Sequence, residues 1–179
     1  AGENLVRFAA LISMSNRANG RTGMGAVMGS KNLKAVVVRG KQKPTIAHPE
    51  TFKELQKWGT ANLEATGMDG FGKYGTPGET TSQNKAGGLP TYNFNSGTFD
   101  KHEEIDGITL YNDHLRGHER DEQNRFGRDT CFSCSVKCKR VTQIDEGPYK
   151  TEAKYGGPEY ETIATFGSYC GISNMDAII

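Results

Sequence analysis

A chain of 179 residues with 22 Lys and Arg against 21 Asp and Glu is nearly electroneutral, with a formal charge of +1. That balance gives no electrostatic footprint for nucleic acid or an anionic membrane surface, and no apolar run nears the roughly 20 residues that a bilayer span needs. Only 35% of the residues are hydrophobic and 23 are glycine, so much of the chain is expected to be loop around one good core or two small ones.

Leu5, Phe8, Ala9 and Ile12 share one face at helical spacing, which predicts a helix over residues 3–14 with Glu3 near its positive end. Gly20, Gly23, Gly25 and Gly29 then predict a loop, or a loop entering a short helix. Lys34 to Arg39 is a short β-branched run, read as a buried strand ended by Gly40. Residues 40–49, basic and Pro-containing, read as a domain boundary. An amphipathic helix is expected from Pro49 to near residue 65, with Phe52, Leu55, Trp58 and Leu63 facing inward. The glycine-rich stretch 66–100 shows little periodicity and is expected to be irregular. Residues 109–126 are polar and helical in part, and carry His114 and His118 four apart. Gly157-Pro158-Glu159 opens another helix through Ile163, with Pro in its first turn, and a last helix begins near Asn174. The first residues lack both a basic leader and an apolar core, residue 1 is not Met, and the end reads as helix. An interior fragment of a larger polypeptide is therefore expected.

Chemistry concentrates in Cys131-x2-Cys134-x3-Cys138. Three soft sulfur ligands within eight residues favour a metal in a reducing compartment over disulfides. Iron–sulfur and zinc sites are both open on spacing. Zinc motifs usually bring a second ligand pair, which this chain lacks, and this favours iron–sulfur. The stretch from Arg17 to Lys31 fits neither nucleotide motif. Gly23-x-Gly25-x3-Gly29 is one residue too long for the dinucleotide fingerprint and has its flanking elements reversed, and Gly-Ser-Lys inverts the phosphate-loop ending. Two readings remain: a loop whose Arg17, Arg21, Lys31 and backbone N–H groups hold phosphate, or a sharp turn between packed elements. His114 and His118 lack the adjacent carboxylate of a metalloprotease helix and read as exposed histidines. Glu159 and Glu161 at a helix start read first as dipole partners.

Several of these pieces together resemble one family. Ala1 to Ala10, Gly20 to Ala35, Gly87-Gly-Leu-Pro-Thr-Tyr-Asn-Phe94, the three cysteines and Gly157-Pro-Glu-Tyr-Glu-Thr162 follow in the order of the aldehyde:ferredoxin oxidoreductases, which are tungsten or molybdenum bis-pterin enzymes. The resemblance covers essentially the whole chain. It implies an α+β fold, with residues 1–45 as the C-terminal part of a β-containing, pterin-binding N-terminal domain and residues 46–179 as the first part of a mostly helical iron–sulfur domain. By the same resemblance, Cys131, Cys134 and Cys138 are three ligands of a [4Fe–4S] cluster whose fourth ligand lies outside the chain. Arg17, Ala18, Gly20 and Arg21 lie where the pterin phosphates and their bridging magnesium are held, and Glu161 is a carboxylate near the metal that moves a proton. The implied activity is oxidation of a small aldehyde to a carboxylic acid, with electrons passing to ferredoxin or another carrier subunit. The implied setting is a cytoplasmic enzyme, homo- or hetero-oligomeric, that is inactive as this fragment alone. An aromatic acyl-CoA reductase of the same family and a zinc-stabilised, non-enzymatic module are the alternatives.

Overall fold

The computed structural model describes residues 1–120 and 124–179, which form two compact units, Ala1–Pro49 and Glu50–Ile179. Helices and small antiparallel sheets together make the chain α+β in class.

In the first unit the expected helix over 3–14 is absent. A 3-10 turn, Gly2–Asn4, ends at Leu5 in left-handed backbone (φ 54°), and the chain then enters strand β1, Leu11–Ser13. The apolar spacing did not mark a buried face: Phe8 is 89% exposed, and only Ala9 of the four face residues is buried. A helix this short depends on burial of that face, and here Leu5, Phe8 and Ile12 stay exposed. Strand β1 turns back into β2, Arg17–Asn19, with Ser13 opposite Arg17 and Ile12 opposite Ala18. The turn between them uses positive φ at Met14 and Ser15. Helix α1, Met24–Ser30, follows from an N-cap at Gly23.

The glycines explain how α1 packs. A Cβ on Gly25 would lie 2.6 Å from the Ala10 carbonyl oxygen, and one on Gly29 would lie 1.9 Å from that of Gly2. Bare backbone thus meets bare backbone, and the Gly25 N–H donates to the Ala9 carbonyl at 2.8 Å. The run 34–39, expected as a buried strand, belongs to no sheet, and Val37 is 91% exposed. A strand needs a ladder partner for its backbone groups, and no described strand of this unit runs beside it.

The second unit opens with helix α2, Pro49–Ala61. The element forms as expected, but Phe52, Leu55 and Trp58 lie on its exposed side, and Trp58 is 59% exposed. Part of the stretch expected to be irregular is helical: α3, Met68–Tyr74, and α4, Glu79–Lys85, are joined by a 3-10 turn at Thr76–Gly78. Helix α5, Gly107–Thr109, runs into a π turn at Leu110–His114. The two-residue strands β3, Arg128–Asp129, and β4, Lys139–Arg140, pair antiparallel across the cysteine loop. Helix α6, Tyr160–Thr162, starts from an N-cap at Glu159, so Pro158 precedes the helix rather than lying in its first turn. It widens into a π turn at Ile163–Gly167. The last helix, α7, Met175–Ile178, is capped by the Asn174 side chain, which accepts from the Ala177 N–H at 3.2 Å.

Both π turns point into one core of Leu89, Phe99, Ile105, Leu110, Ile163 and Met175 with their neighbours. Burying each such side chain contributes about 1.5–3 kcal/mol. Asp106 ties this core to α4. One carboxylate oxygen caps α5 by accepting from the Ile108 and Thr109 N–H groups at 2.9 Å, and the other accepts from the Thr81 hydroxyl at 2.9 Å. Asp106→Ala removes the cap and strands a hydroxyl. We expect the unfolding free energy to fall by about 1–3 kcal/mol, read as a lower urea midpoint at unchanged slope. Asp106→Asn, which keeps the cap, should lose less.

Candidate metal centre

The cysteine loop is built from its two ends inward. Strands β3 and β4 pair Arg128 with Arg140 and Asp129 with Lys139, which closes residues 130–138 into a loop. Inside it the Cys134 N–H donates to the Cys131 carbonyl at 3.1 Å, and the Thr130 hydroxyl donates to the Cys134 carbonyl at 2.8 Å. Ser133 and Lys137 take positive φ (59° and 57°), so the backbone reverses at each. No helical turn carries the third cysteine: Cys138 leads directly into β4.

All four cysteines are free thiols, Cys131 exposed and Cys134 and Cys138 half-buried. Hydrogen bonding from the Val136 N–H, with help from Thr130 and the Lys137 N–H, holds the Cys134 thiol below its ordinary range. Burial pushes Cys138 the other way, assisted by the charges of Glu159 and Cys134. Backbone N–H groups aimed at a sulfur stabilise a thiolate and serve equally a sulfur bound to a cluster. Among the described residues, no three His, Cys, Asp or Glu side chains come together closely enough to hold a single metal ion. The fit of this loop to a cluster is therefore in donor type and backbone direction: three soft sulfurs on one exposed loop, with N–H groups turned toward one of them.

Helix α3 seats the loop through its glycines. A Cβ on Gly72 would lie 2.3 Å from the Val136 carbonyl oxygen, and one on Gly75 would lie 2.7 Å from that of Cys138. Beneath the loop lies Arg140, fully buried. Its guanidinium donates to the Gly72 carbonyl at 2.6 Å, to that of Lys73, and to that of Lys137 at 2.8 Å. It therefore satisfies end carbonyls of α3 and fixes the cysteine loop with one group. Arg128 makes a long contact of 3.5 Å to the Val136 carbonyl. Burial, and then the charge of Arg128, pull the Arg140 pKa down from its ordinary value to about 10, while Glu159 and Cys138 act in the opposite direction. Glu159 is held in turn by the Thr76 hydroxyl, which donates to its carboxylate and accepts from the Tyr160 N–H at 2.9 Å.

Sequence reasoning did not find Arg140, Arg128 or the position of Glu159. Their partners lie up to 83 residues away, so no local spacing signals them. Glu161 is exposed on α6, two residues beyond Glu159, and its backbone carbonyl accepts from the Thr165 hydroxyl at 2.6 Å. Its charge, after burial, helps to raise the Tyr160 phenol. His114 and His118 are on separate turns: His114 Nδ1 lies 3.0 Å from Asp176 Oδ1, and His118 Nδ1 lies 2.9 Å from the Leu115 carbonyl. Part of the expected helical stretch 109–126, residues 121–123, lies outside the described residues. The Cys170 thiol donates to the Thr165 carbonyl at 3.2 Å.

In the first unit, half-buried Arg17 and exposed Ala18 lie on β2, and exposed Gly20 and Arg21 occupy the turn after it. A Cβ on Gly20 would meet nothing within 4 Å, so its backbone is open to a ligand, whereas Gly23, Gly25 and Gly29 serve packing. An exposed turn with two arginines nearby suits anionic groups such as phosphates.

Two sequence families match. The N-terminal domain of aldehyde ferredoxin oxidoreductase matches residues 1–40, and its domains 2 and 3 match residues 50–179. The tungsten-containing aldehyde ferredoxin oxidoreductases of Pyrococcus abyssi and Thermococcus kodakarensis are 38% and 35% identical to the chain over 181 residues, which cover 100% of the chain and 27% of each relative. The aliphatic sulfonate oxidoreductase WOR-like subunit of Pyrococcus furiosus is 32% identical over 193 residues, covering 99% of the chain and 27% of the relative. The chain therefore spans about a quarter of the length of these relatives, and it belongs to the aldehyde ferredoxin oxidoreductase family.

Proposed function

We propose that the chain is part of a tungsten-containing oxidoreductase that converts an aldehyde and water into a carboxylic acid, releasing two protons and two electrons, with the electrons leaving to ferredoxin. The observation that carries this reading is the loop of Cys131, Cys134 and Cys138, with backbone N–H groups turned to the Cys134 sulfur. The names of the relatives, which are tungsten-containing aldehyde ferredoxin oxidoreductases, support the substrate and the metal.

In this reading the three cysteines hold three corners of a [4Fe–4S] cluster. Arg17, Ala18, Gly20 and Arg21 face the phosphates of a bis-pterin and their bridging magnesium. When bound, the pterin-held tungsten accepts the two electrons of the oxidation and the cluster relays them outward. What the chain's own residues supply is phosphate contact, cysteine ligation and a proton acceptor, Glu161. The domain reading is supported by the division of the chain at Pro49 and by the separate matches to residues 1–40 and 50–179. Among the described residues no helix is long and apolar enough to cross a membrane.

Metal analysis of the intact enzyme, prepared without oxygen, tests the proposal. We expect about four iron atoms per polypeptide together with tungsten. Zinc in place of both would overturn it. The sulfonate oxidoreductase relative favours a second substrate class, because its identity to the chain is only slightly lower. Dye reduction with simple aldehydes against aliphatic sulfonates separates the two, and turnover of sulfonates alone would replace the aldehyde reading.

A further inference from the structure

We propose that Arg140 is a positioning residue for the iron–sulfur centre, whose buried guanidinium holds the cysteine loop by the Lys137 carbonyl and whose charge, set against that of Glu159, fixes the reduction potential. The inference rests on the iron–sulfur reading of the preceding section and adds to it the residues that tune the cluster.

Three features of the structure carry it. The first is direct attachment. The Lys137 carbonyl that accepts from Arg140 belongs to the same peptide group as the Cys138 N–H. In the same way the Val136 carbonyl, contacted by Arg128, belongs to the same peptide group as the Lys137 N–H, which faces Cys134. A donor at the carbonyl end of a peptide group strengthens the N–H at its other end, so the arginines act on the sulfurs through the backbone.

The second is charge. Arg140 is fully buried and Arg128 is half-buried, and the two repel each other. The Nε groups of both are buried and, among the described residues, make no hydrogen bond. The carboxylate in electrostatic reach of Arg140 is Glu159. One fully buried and one half-buried guanidinium, set against the Glu159 carboxylate, make the surroundings of Arg140 positive. A four-thiolate cluster is anionic and gains a further negative charge when reduced, so a positive site favours the reduced form.

The third is rigidity. Arg140 takes the carbonyls of Gly72 and Lys73 at the end of α3 together with that of Lys137. Loop and helix end are thus fixed by a single planar group.

The test is a redox titration of the reduced-cluster electron paramagnetic resonance signal in the intact enzyme, prepared anaerobically, with iron content measured alongside. Arg140→Met should lower the ratio of reduced to oxidised cluster at least tenfold at a given potential, a fall in midpoint of about 59 mV for a one-electron couple. Glu159→Gln, which keeps the acceptor for Thr76, should move the midpoint the opposite way. Arg140→Lys keeps the charge and should retain the cluster, with a shift well short of that of the methionine variant. Opposite signs for Arg140→Met and Glu159→Gln are what a merely structural arginine would not produce. A midpoint unchanged in both, with iron retained, overturns the inference. If Arg140→Met loses its iron, the lysine variant decides: retention of the cluster there supports the charge role, and loss in both overturns it. Unmodified enzyme lacking iron and the signal would instead overturn the iron–sulfur reading itself.

Discussion

Cys134→Ala in the intact, anaerobically prepared enzyme should take iron from about four atoms per polypeptide to below about one and abolish ferredoxin reduction. The expectation comes from where the sulfur sits. Cys134 is the cysteine toward which the Val136 and Lys137 N–H groups and the Thr130 side chain are directed. On the proposed reading, removing it costs one cluster ligand, and it also leaves those donors facing a methyl group. Alanine fits sterically, because Cys134 is half-buried on a turn closed by its own N–H to the Cys131 carbonyl. The fold around the Leu89, Leu110 and Ile163 core should therefore persist, and the unfolding midpoint should change far less than the iron content. Retained ferredoxin reduction with this variant would contradict the assignment of the loop. Cys170→Ala is the control: that thiol donates to the Thr165 carbonyl on a separate turn, and its loss should leave the iron unchanged.

How far the sequence carried can be read from particular residues. The cysteine spacing was legible because three ligands within eight residues are a local pattern, and local patterns survive whatever the rest of the chain does. Helices α2 and α7 were legible for the same reason, with Pro49 and Asn174 marking their starts. The stretch 3–14 was not, since Leu5, Phe8 and Ile12 report only that apolar side chains recur at helical spacing. Backbone strain at Leu5 and the pairing of Ile12 with Ala18 decided the outcome. Valines 36–38 signalled strand, but a strand is a property of two segments, and the ladder partner is not written in the run itself. The glycines between 20 and 29 were singled out and left with two meanings. The structure divides them: Gly25 and Gly29 admit backbone contacts of α1, while Gly20 stays open beside Arg21. The buried charges beneath the cysteine loop were wholly illegible, because Arg140 meets Gly72 and Lys73 only once the chain has folded.

Glu161→Gln should reduce aldehyde turnover by roughly 10²–10⁴-fold while iron and tungsten stay bound. The two carboxylates of the Gly157 to Thr162 segment occupy different surroundings. Glu159 is tied down, accepting from the Thr76 hydroxyl and lying in electrostatic reach of Arg140 and Cys138. A carboxylate so engaged as a counter-charge is poorly placed to exchange protons with a substrate. Glu161 is exposed on α6, with no side-chain hydrogen bond or ion pair among the described residues, and it remains available for proton transfer. Helix α6 is anchored at its first residue, where the Tyr160 N–H donates to Thr76, so the exposed carboxylate is carried on a fixed backbone. Glutamine preserves size and loses only the ability to take a proton, which isolates that step from binding. If Glu161 serves as the base, the variant loses the acidic limb of the pH–rate profile as well as rate, and KM changes little. Full turnover with Glu161→Gln would remove its catalytic role.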